Sequence, residues 1–380
     1  MACDPIFPLD DEPFQPPCCP REACPSRTSA TPFTWIRKGS FRRGCDQRVV
    51  PRFRCRACGR TFSLQTFRFE RGLRRPELTQ PIFDAFVAKT TMRQCARTLP
   101  CSRSTVESRL RRLARHARAV HAVVLERAKA RGGLPGDFQL DELETFEGSR
   151  RLQPVTMPVL IELHKRFVVH VAVGTLPARG RLSSRDAKRK LELELEQRDG
   201  PRTSESKAVV TECFQALQSV VPAGKHHVIS TDKKSSYAKI LRELFPPPFT
   251  HARHSSKRAR SKDNPLFPIN HTLAMLRDGM SRLVRRTWAA TKKRERLAAH
   301  AWIWAAYRNY VRPLTNRARD TTSALALGVV AEMFERARFL RWNPLPLAVQ
   351  AQPSGPVSVG GGGPALPPPA HSPSNPSTPD

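Results

Sequence analysis

The sequence has few acidic residues and no long apolar runs. It contains 33 Asp and Glu against 65 Lys and Arg, so its formal net charge at pH 7 is +32. No apolar run approaches the roughly 18 residues that a membrane-spanning helix needs, which excludes a membrane protein. The positive charge is spread along most of the chain, and this suits a long polyanion better than a small acidic substrate. Nucleic acid is therefore the expected partner.

The two ends of the sequence lack the composition of folded segments. The first 17 residues have neither a basic start nor an apolar stretch, so they form no secretory signal, and we predict a disordered leader in a cytoplasmic, nucleoid-associated protein. Residues 343–380 contain 11 of the 35 prolines, a Gly360–Gly363 run and no aromatic residue. This composition predicts a disordered tail. The remaining chain is long enough for two or three folding units.

Cysteine is concentrated near the start of the chain. Seven of the ten cysteines lie within the first 58 residues, and in a reducing compartment such a cluster indicates metal binding rather than disulfides. Cys55 and Cys58 are separated by two residues and followed by glycine, which is the spacing of a zinc knuckle. The first half of the site has looser spacing, and the cysteines available for it are Cys18, Cys19, Cys24 and Cys45.

Short strand patterns lie between these two cysteine groups. They are Phe33–Ile36 and Val49–Arg54, on either side of a polar turn. This arrangement predicts a zinc ribbon, a small β module at residues 18–70, in which zinc replaces the apolar core that the module is too small to build. The ligand set that we favour for one structural Zn²⁺ is Cys19, Cys24, Cys55 and Cys58.

A helix-turn-helix pattern follows at residues 71–130. A short helical segment, Thr91–Leu99, is interrupted at Pro100, and a second helix starts near Ser102, a residue that can cap it. Apolar residues recur on one face of the second helix, and the other faces carry Arg103, Arg109, Arg111, Arg112, Arg115 and Arg118. The pattern predicts a recognition helix that binds DNA through Arg103, Arg109 and Arg112. A solvated basic helix is the alternative.

From Phe138 onward, apolar and alternating segments predict strands. They are Phe138–Phe146, Pro158–Leu163, Phe167–Gly174 and His227–Thr231. Asp141 lies within the first strand, and Asp232 directly follows the last. Two carboxylates at neighbouring strand ends can hold a pair of divalent metal ions for in-line attack on a phosphodiester. Such a site needs a third oxygen ligand.

The order of these segments resembles that of DDE-type transposases of the insertion-sequence-one kind, over roughly Cys19 to Trp342. The matching stretches are Arg54–Ser63, Asp141-Glu142, Thr231–Tyr237, Ile269–Arg277, Arg282–Arg286 and Thr291–Lys293. The resemblance implies a multidomain protein, with a helix-turn-helix between the zinc ribbon and an α/β ribonuclease-H-like catalytic core at residues 131–342. It also implies that Asp141 and Asp232 bind Mg²⁺ or Mn²⁺.

The third metal ligand is where the chain departs from this family. The family has Glu where this chain has Asn270, which offers a carbonyl oxygen without a charge. Asparagine also caps helices well, so an N-cap role is the alternative. On a helix through Asn270, Asp278 lies on the same side and is the fallback ligand. It lies about 12 Å farther along the axis, so the two cannot serve one metal pair. An apolar stripe on this helix is formed by Leu273, Leu276, Met280 and Leu283.

Basic residues follow this helix. Arg282, Arg286, Lys293 and Arg296 recur at helical spacing and predict a basic stripe along a DNA path, with a solvated helix face as the alternative. Lys292 matches the family's lysine after Ser or Thr, which implies a phosphate contact near the cut.

Two functions follow from this reading. The first is a transposase that acts as a homo-oligomer on double-stranded DNA, binds the terminal inverted repeats of its insertion sequence, and catalyses metal-dependent cleavage and strand transfer to target DNA. The second is a DNA-binding protein that derives from a transposase and has lost catalysis. Asn270 is the residue that separates the two.

Overall fold

The computed structural model describes residues 6–8, 13–28, 33–197, 201–222, 224–246, 248–259, 261–284, 289–345 and 355–356. The rest of the predicted leader and most of the predicted tail lie outside the described residues. The described part of the leader is packed rather than disordered, because its aromatic rings find apolar partners. The Phe7 ring lies 5.1 Å from that of Phe334, and the Phe14 ring stacks on Trp342 at 5.4 Å. Leu345 donates its N–H to the carbonyl of Ile6.

The first module is a small sheet with a short helix. Helix α1 (Pro25–Thr28) precedes three antiparallel strands, β1 (Thr34–Arg42), β2 (Val49–Cys55) and β3 (Thr61–Ser63), and β10 (Gly355–Pro356) pairs in parallel with β1. Trp35 lies opposite Cys55, and Phe53 lies opposite Phe62, so aromatic pairs stabilise the sheet around the cysteines. The two predicted strands are confirmed, although β1 extends into the predicted turn as far as Arg42.

Three helices follow two 3-10 turns, Leu64–Phe67 and Pro76–Leu78. They are α2 (Thr79–Val87), α3 (Met92–Thr98) and α4 (Arg103–Ala130). Thr91 caps α3, and Ser102 caps α4 by accepting a hydrogen bond from the N–H of Thr105 at 3.1 Å. One face of α4 is buried from Val106 to Ala128, and one apolar core joins residues of all three predicted units. The predicted boundaries between these units remain predictions.

A mixed sheet forms the centre of the remaining chain. Its strands are β4 (Phe138–Phe146), β5 (Pro154–Glu162), β6 (Val168–Val171), β7 (Gly174–Thr175), β8 (His227–Asp232) and β9 (Phe249–His254). The order is β6-β5-β4-β8-β9, and β7 also pairs with β5. Strands β5 and β6 run antiparallel to their neighbours, whereas β8 and β9 run parallel to β4. The four predicted strands are confirmed, the third as β6 and β7, but β9 was not predicted.

Helices cover both faces of this sheet. They are α5 (Ser184–Gln197), α6 (Ser206–Gln218), α7 (Ser235–Leu244), α8 (Phe267–Gly279), α9 (Arg294–Ala306), α10 (Ser323–Ala326) and α11 (Arg336–Arg341), with a 3-10 turn at Ser281–Leu283 and a π-helical turn at Tyr307–Val311. Because side chains alternate along β4, Leu140 packs with residues of α4, α6 and α7, while Leu143 packs with residues of α8 and α9. None of the helices described is long and apolar enough to cross a membrane.

Three buried histidines connect the helices to the rest of the core. His116 Nε2 lies 2.6 Å from the carbonyl oxygen of Phe339, and His300 Nε2 lies 2.9 Å from that of Phe86. His121 Nε2 lies 2.8 Å from a backbone carbonyl of β6. Burial lowers the pKa of His116 and of His121 to about 4, and that of His300 to about 3. These side chains are therefore neutral in the folded protein at neutral pH.

We expect the protein to lose stability as the pH falls below about 6.5. The unfolded chain binds protons on these histidines from about pH 6.5, whereas the folded chain does so only near pH 3–4, so stability rises with pH between these limits. Each histidine contributes a slope of up to about 1.4 kcal/mol per pH unit in that interval. Urea unfolding at pH 7, 6 and 5 measures the free energy.

The variant His116→Gln separates this effect from other acid effects. It should reduce the slope of unfolding free energy against pH relative to the wild type. His164→Gln, at an exposed position, should leave the slope unchanged. Equal slopes in all three proteins would mean that His116 is not held neutral by burial.

Candidate functional sites

Four cysteines of the first module come together. The Sγ atoms of Cys19 and Cys58 lie 3.6 Å apart, those of Cys24 and Cys55 lie 3.7 Å apart, and all four lie within 4.8 Å of one another. A tetrahedral zinc site with Zn–S bonds of about 2.3 Å has S–S edges of about 3.8 Å, so the four thiols fit one zinc ion. In the described part of the chain, this is the only group of three or more His, Cys, Asp or Glu side chains close enough for one metal ion.

The other two candidate cysteines lie outside this group. Cys18 is buried, and burial raises the pKa of its thiol to about 11, while Cys45 is exposed in the turn after β1. Within the group, burial raises the pKa of Cys19 and of Cys55. Burial also acts to raise the pKa of Cys24, but hydrogen bonds from Ser26 outweigh it and leave the pKa at about 7. The four cysteines predicted from their spacing in the sequence are therefore the four that lie together in the structure.

The arginines of α4 divide into exposed and packed side chains. Arg103 is exposed in the first turn. Arg109 is buried, and its guanidinium donates to the carbonyl of Arg75 at 2.8 Å. Arg112 donates to the carbonyl of Arg71 at 2.7 Å and lies over the Phe69 ring. Burial lowers the pKa of both packed arginines. The expectation that all six arginines lie outside the packing faces is wrong for these two, because the chain before α2 covers them.

The two predicted catalytic carboxylates occupy corresponding positions on neighbouring parallel strands. Gln139 of β4 pairs with Ser230 of β8, and Asp141 and Asp232 each lie two residues farther along. Neighbouring strands lie about 4.8 Å apart, and equal parity places both side chains on the same face of the sheet. Asp141 accepts a hydrogen bond from the N–H of Glu142, and Asp232 from that of Lys234. The register therefore puts both acids on one face of the sheet, Asp141 within β4 and Asp232 at the end of β8.

The start of α8 is fixed to the same face. The side chain of Gln139 donates to the carbonyl of Pro265 at 2.7 Å and accepts from the N–H of Ile269 at 3.1 Å. Asn270 follows Ile269 directly, in the first turn of α8. An N-cap role for Asn270 is wrong, because the helix begins at Phe267 and Leu266 occupies the N-cap position. Asn270 thus belongs to the helix turn that is tied to β4 two residues before Asp141.

Asp278 lies at the opposite end of α8. Its side chain is 86% exposed and pairs with Lys89 at 3.3 Å. The helix ends at the next residue, Gly279, where Trp304 packs directly on the backbone. A Cβ at Gly279 would lie 2.6 Å from Trp304 Nε1. The position of Asp278 favours an ion pair with the preceding helical module over a place beside Asp141.

The predicted apolar stripe of α8 is confirmed in part. Leu273, Leu276 and Met280 are buried against the sheet, as is Leu283. However, the helical spacing does not continue past Gly279, because Leu283 belongs to a separate 3-10 turn.

The basic residues after α8 do not form one helical stripe. Helix α9 begins only at Arg294, and the described residues before it form a 3-10 turn and loops, so this prediction is wrong. Arg286 lies outside the described residues. Lys292 and Lys293 are exposed immediately before α9, whereas Arg282 is half-buried and donates to the Met92 thioether at 2.9 Å.

Glu147 holds the start of α9 in place. This buried carboxylate accepts from the N–H of Arg294 at 2.7 Å and forms an ion pair with Arg202 at 3.0 Å. Its backbone pairs with Thr291 in an isolated parallel bridge. The exposed Lys292 therefore follows a residue that is anchored to the end of β4.

Sequence reasoning assigned no role to Glu142, which lies on the other face of β4 from Asp141. Its carboxylate accepts hydrogen bonds from four side chains: Thr156, Ser206, Lys234 and Tyr237. Burial raises the pKa of Glu142, but these donors outweigh it and lower the pKa. The network ties β4 to β5, α6 and α7 directly behind the acids. Side chains alternate between the two faces of a strand, so the adjacent residues Asp141 and Glu142 could have been assigned to opposite faces of β4 from the sequence.

His254 was also missed. It pairs in register with Asp232 across β8 and β9, so it extends the row of polar residues onto a third parallel strand. Because β9 was not predicted as a strand, no sequence argument placed His254 beside the acids.

No protein-family model and no curated protein matches the chain. Among solved structures, the chain is similar to the crystal structure of the catalytic domain of Mos1 mariner transposase. The sequence identity is 14%, the match covers 59% of this chain and 95% of that chain, and the TM-score is 0.24.

Proposed function

We propose that the chain is a DNA transposase with a ribonuclease-H-like core, in which Asp141, Asp232 and Asn270 bind Mg²⁺ or Mn²⁺. The observation that supports this proposal is the register of β4 and β8 at Gln139 and Ser230, two residues before Asp141 and Asp232, because equal parity puts both carboxylates on one face. The first turn of α8 lies against that face.

The donor set is suited to a hard divalent cation. Carboxylate oxygens supply charge, and the amide oxygen of Asn270 would add a neutral ligand. In such sites, divalent ions activate the attacking oxygen and stabilise the leaving oxygen of a phosphodiester. Behind the acids, the Glu142 network would hold the two strand ends at a constant separation. Lys292 would bind a phosphate of the DNA near the cut.

The remaining features support DNA as the substrate. The net charge of +32 favours a long polyanion, and the exposed arginines of α3 and α4 include Arg103. The zinc ribbon would bind Zn²⁺ as a structural ion. Action as a homo-oligomer on the inverted repeats of an insertion sequence belongs to the same proposal.

The proposal is tested with the full-length protein and duplexes that carry the DNA flanking its gene. We expect strand cleavage at the element ends with Mg²⁺ or Mn²⁺, and none with EDTA or with shuffled end sequences. Cleavage products are resolved on sequencing gels. If the protein binds the ends but never cleaves them with either metal, it is a DNA-binding protein without catalysis, and the enzyme proposal is wrong.

A further inference from the structure

A basic groove separates the helical module from the segment that precedes α9. Its volume is about 720 Å³, and it lies between α3, the first turn of α4 and residues 281–282 and 289–300. Six basic side chains line it: Arg93, Arg97, Arg103, Arg282, Lys292 and Arg296. No carboxylate is among the described residues that line it. Arg296 is paired with Glu107, and the other five like charges repel one another unless an anion enters.

Arg282 lies deepest among these residues. Burial and, to a smaller extent, the charge of Arg296 lower the pKa of Arg282 to about 10, although the charge of Glu107 acts in the opposite direction. Its guanidinium donates to the sulfur of Met92, a weak acceptor, and forms no ion pair within the described part of the chain. Burying a cation without a paired carboxylate costs desolvation free energy, and an anionic ligand would offset this cost.

Glu107 of α4 marks one edge of the groove. Its carboxylate accepts from Nη2 of Arg296 at 2.7 Å, from Nε of the same side chain at 3.0 Å, and from Arg111 at 2.6 Å. Burial raises the pKa of Glu107, but these bonds outweigh it and lower the pKa, so Glu107 stays ionised at neutral pH. One carboxylate thus neutralises two arginines.

A second groove lies on the other side of this ion pair. It has a volume of about 950 Å³ and lies between α4 and α9. Its charged lining consists of four arginines and two carboxylates: Arg111, Arg115, Arg118, Arg294, Glu107 and Glu295. From Arg103 to Arg118, α4 rises about 22 Å at 1.5 Å per residue. Phosphates of one DNA strand recur about every 3.4 Å along the axis, so this length matches several phosphates rather than a single ion.

We propose that the two grooves form one track for the phosphate backbone of double-stranded DNA, and that Glu107 is an internal counterion that phosphates displace from Arg296 and Arg111. The track joins α3 and α4 to the segment that carries Lys292. This inference rests on the proposed function for its choice of DNA as the polyanion. It differs from that proposal in the role of Glu107 as a counterion and in needing no metal ion.

The first test removes charge from the track at exposed positions. The full-length triple variant Arg93→Gln/Arg97→Gln/Arg103→Gln is compared with Arg181→Gln/Arg185→Gln/Arg317→Gln, which removes the same charge at exposed positions outside both grooves. Binding to a random-sequence duplex is measured by fluorescence anisotropy over a range of KCl concentrations, with EDTA present. Each lost phosphate contact reduces the slope of log K against log salt by about 0.9.

We expect the track variant to lose up to about 2.7 in this slope and about 10²- to 10³-fold in affinity near 0.1 M salt. The control variant should keep the wild-type slope. Equal losses in both variants would show that net charge, not the grooves, binds DNA, and the inference would be wrong. It would also be wrong if inorganic phosphate protects the wild type from thermal unfolding while both variants bind DNA normally, since the groove would then take a small anion only.

The second test concerns the counterion. Glu107→Gln should raise DNA affinity several-fold and steepen the salt dependence, because Arg111 and Arg296 become free for phosphates. Glu126→Gln, at an exposed position of the same helix, should change neither. Unchanged or weaker binding by a folded Glu107→Gln protein would contradict the counterion role. Because no measurement here involves cleavage, failure of catalysis and failure of this track are distinguishable.

Discussion

We expect alanine at Asp141 or at Asp232 to abolish metal-dependent DNA cleavage. In the proposed function, each carboxylate supplies charge to a metal site, and metal ions in such sites contribute several kcal/mol to transition-state stabilisation, so the rate should fall by more than about 10³-fold. DNA binding should persist, because the basic grooves lie elsewhere. Cleavage of labelled element ends and anisotropy in EDTA measure the two properties separately. Asp320→Ala, at an exposed position outside the sheet, is the matched control.

Cleavage of labelled element ends also tests which residue is the third metal ligand. Asn270→Ala should reduce cleavage strongly, and Asn270→Glu should lower the metal concentration that cleavage requires, because a third carboxylate attracts cations more strongly. Asp278→Ala should leave cleavage intact, since Asp278 pairs with Lys89 at the far end of α8. If Asp278→Ala instead abolishes cleavage and Asn270→Ala does not, the assignment of Asn270 is wrong and α8 must sit differently in the active protein.

The second large effect is expected at the zinc ribbon. Cys55→Ser should remove zinc from the protein and unfold residues around β1–β3, because structural zinc in small modules contributes roughly 10–16 kcal/mol of apparent binding free energy at neutral pH. Metal analysis of the full chain should give one zinc per wild-type molecule and none per variant. Limited proteolysis should show new cleavage within the ribbon.

Cys45→Ser is the control for this substitution. Cys45 is exposed and outside the four-cysteine group, so its loss should leave zinc content and protease resistance unchanged. Zinc retained by Cys55→Ser, or lost equally from Cys45→Ser, would mean that the metal is held by another set of residues.

Local sequence was sufficient for the elements whose signals are short-range. The spacing of Cys55 and Cys58 depends on one tight turn, and the predicted set of four thiols is the set that lies together. Strand β4 was predicted with its observed ends, because its alternation is continuous from Phe138 to Phe146. The sequence also allowed Asp141 to be placed within one strand and Asp232 at the end of another, since each strand signal is local.

Only the tertiary structure decided which charged residues are available for function. Helical periodicity placed Arg109 off the apolar face, yet the chain before α2 buries it, and no local pattern reports packing between distant segments. The end of α8 depends on Trp304, which lies 25 residues beyond Gly279 in the sequence. The partner strands of Asp141 and Asp232, and the sharing of Glu107 between two arginines, likewise arise from long-range contacts. Cysteine spacing and strand alternation were thus readable from neighbouring residues in the sequence. The burial and pairing of charged side chains depended instead on which helices and strands contact one another in the fold.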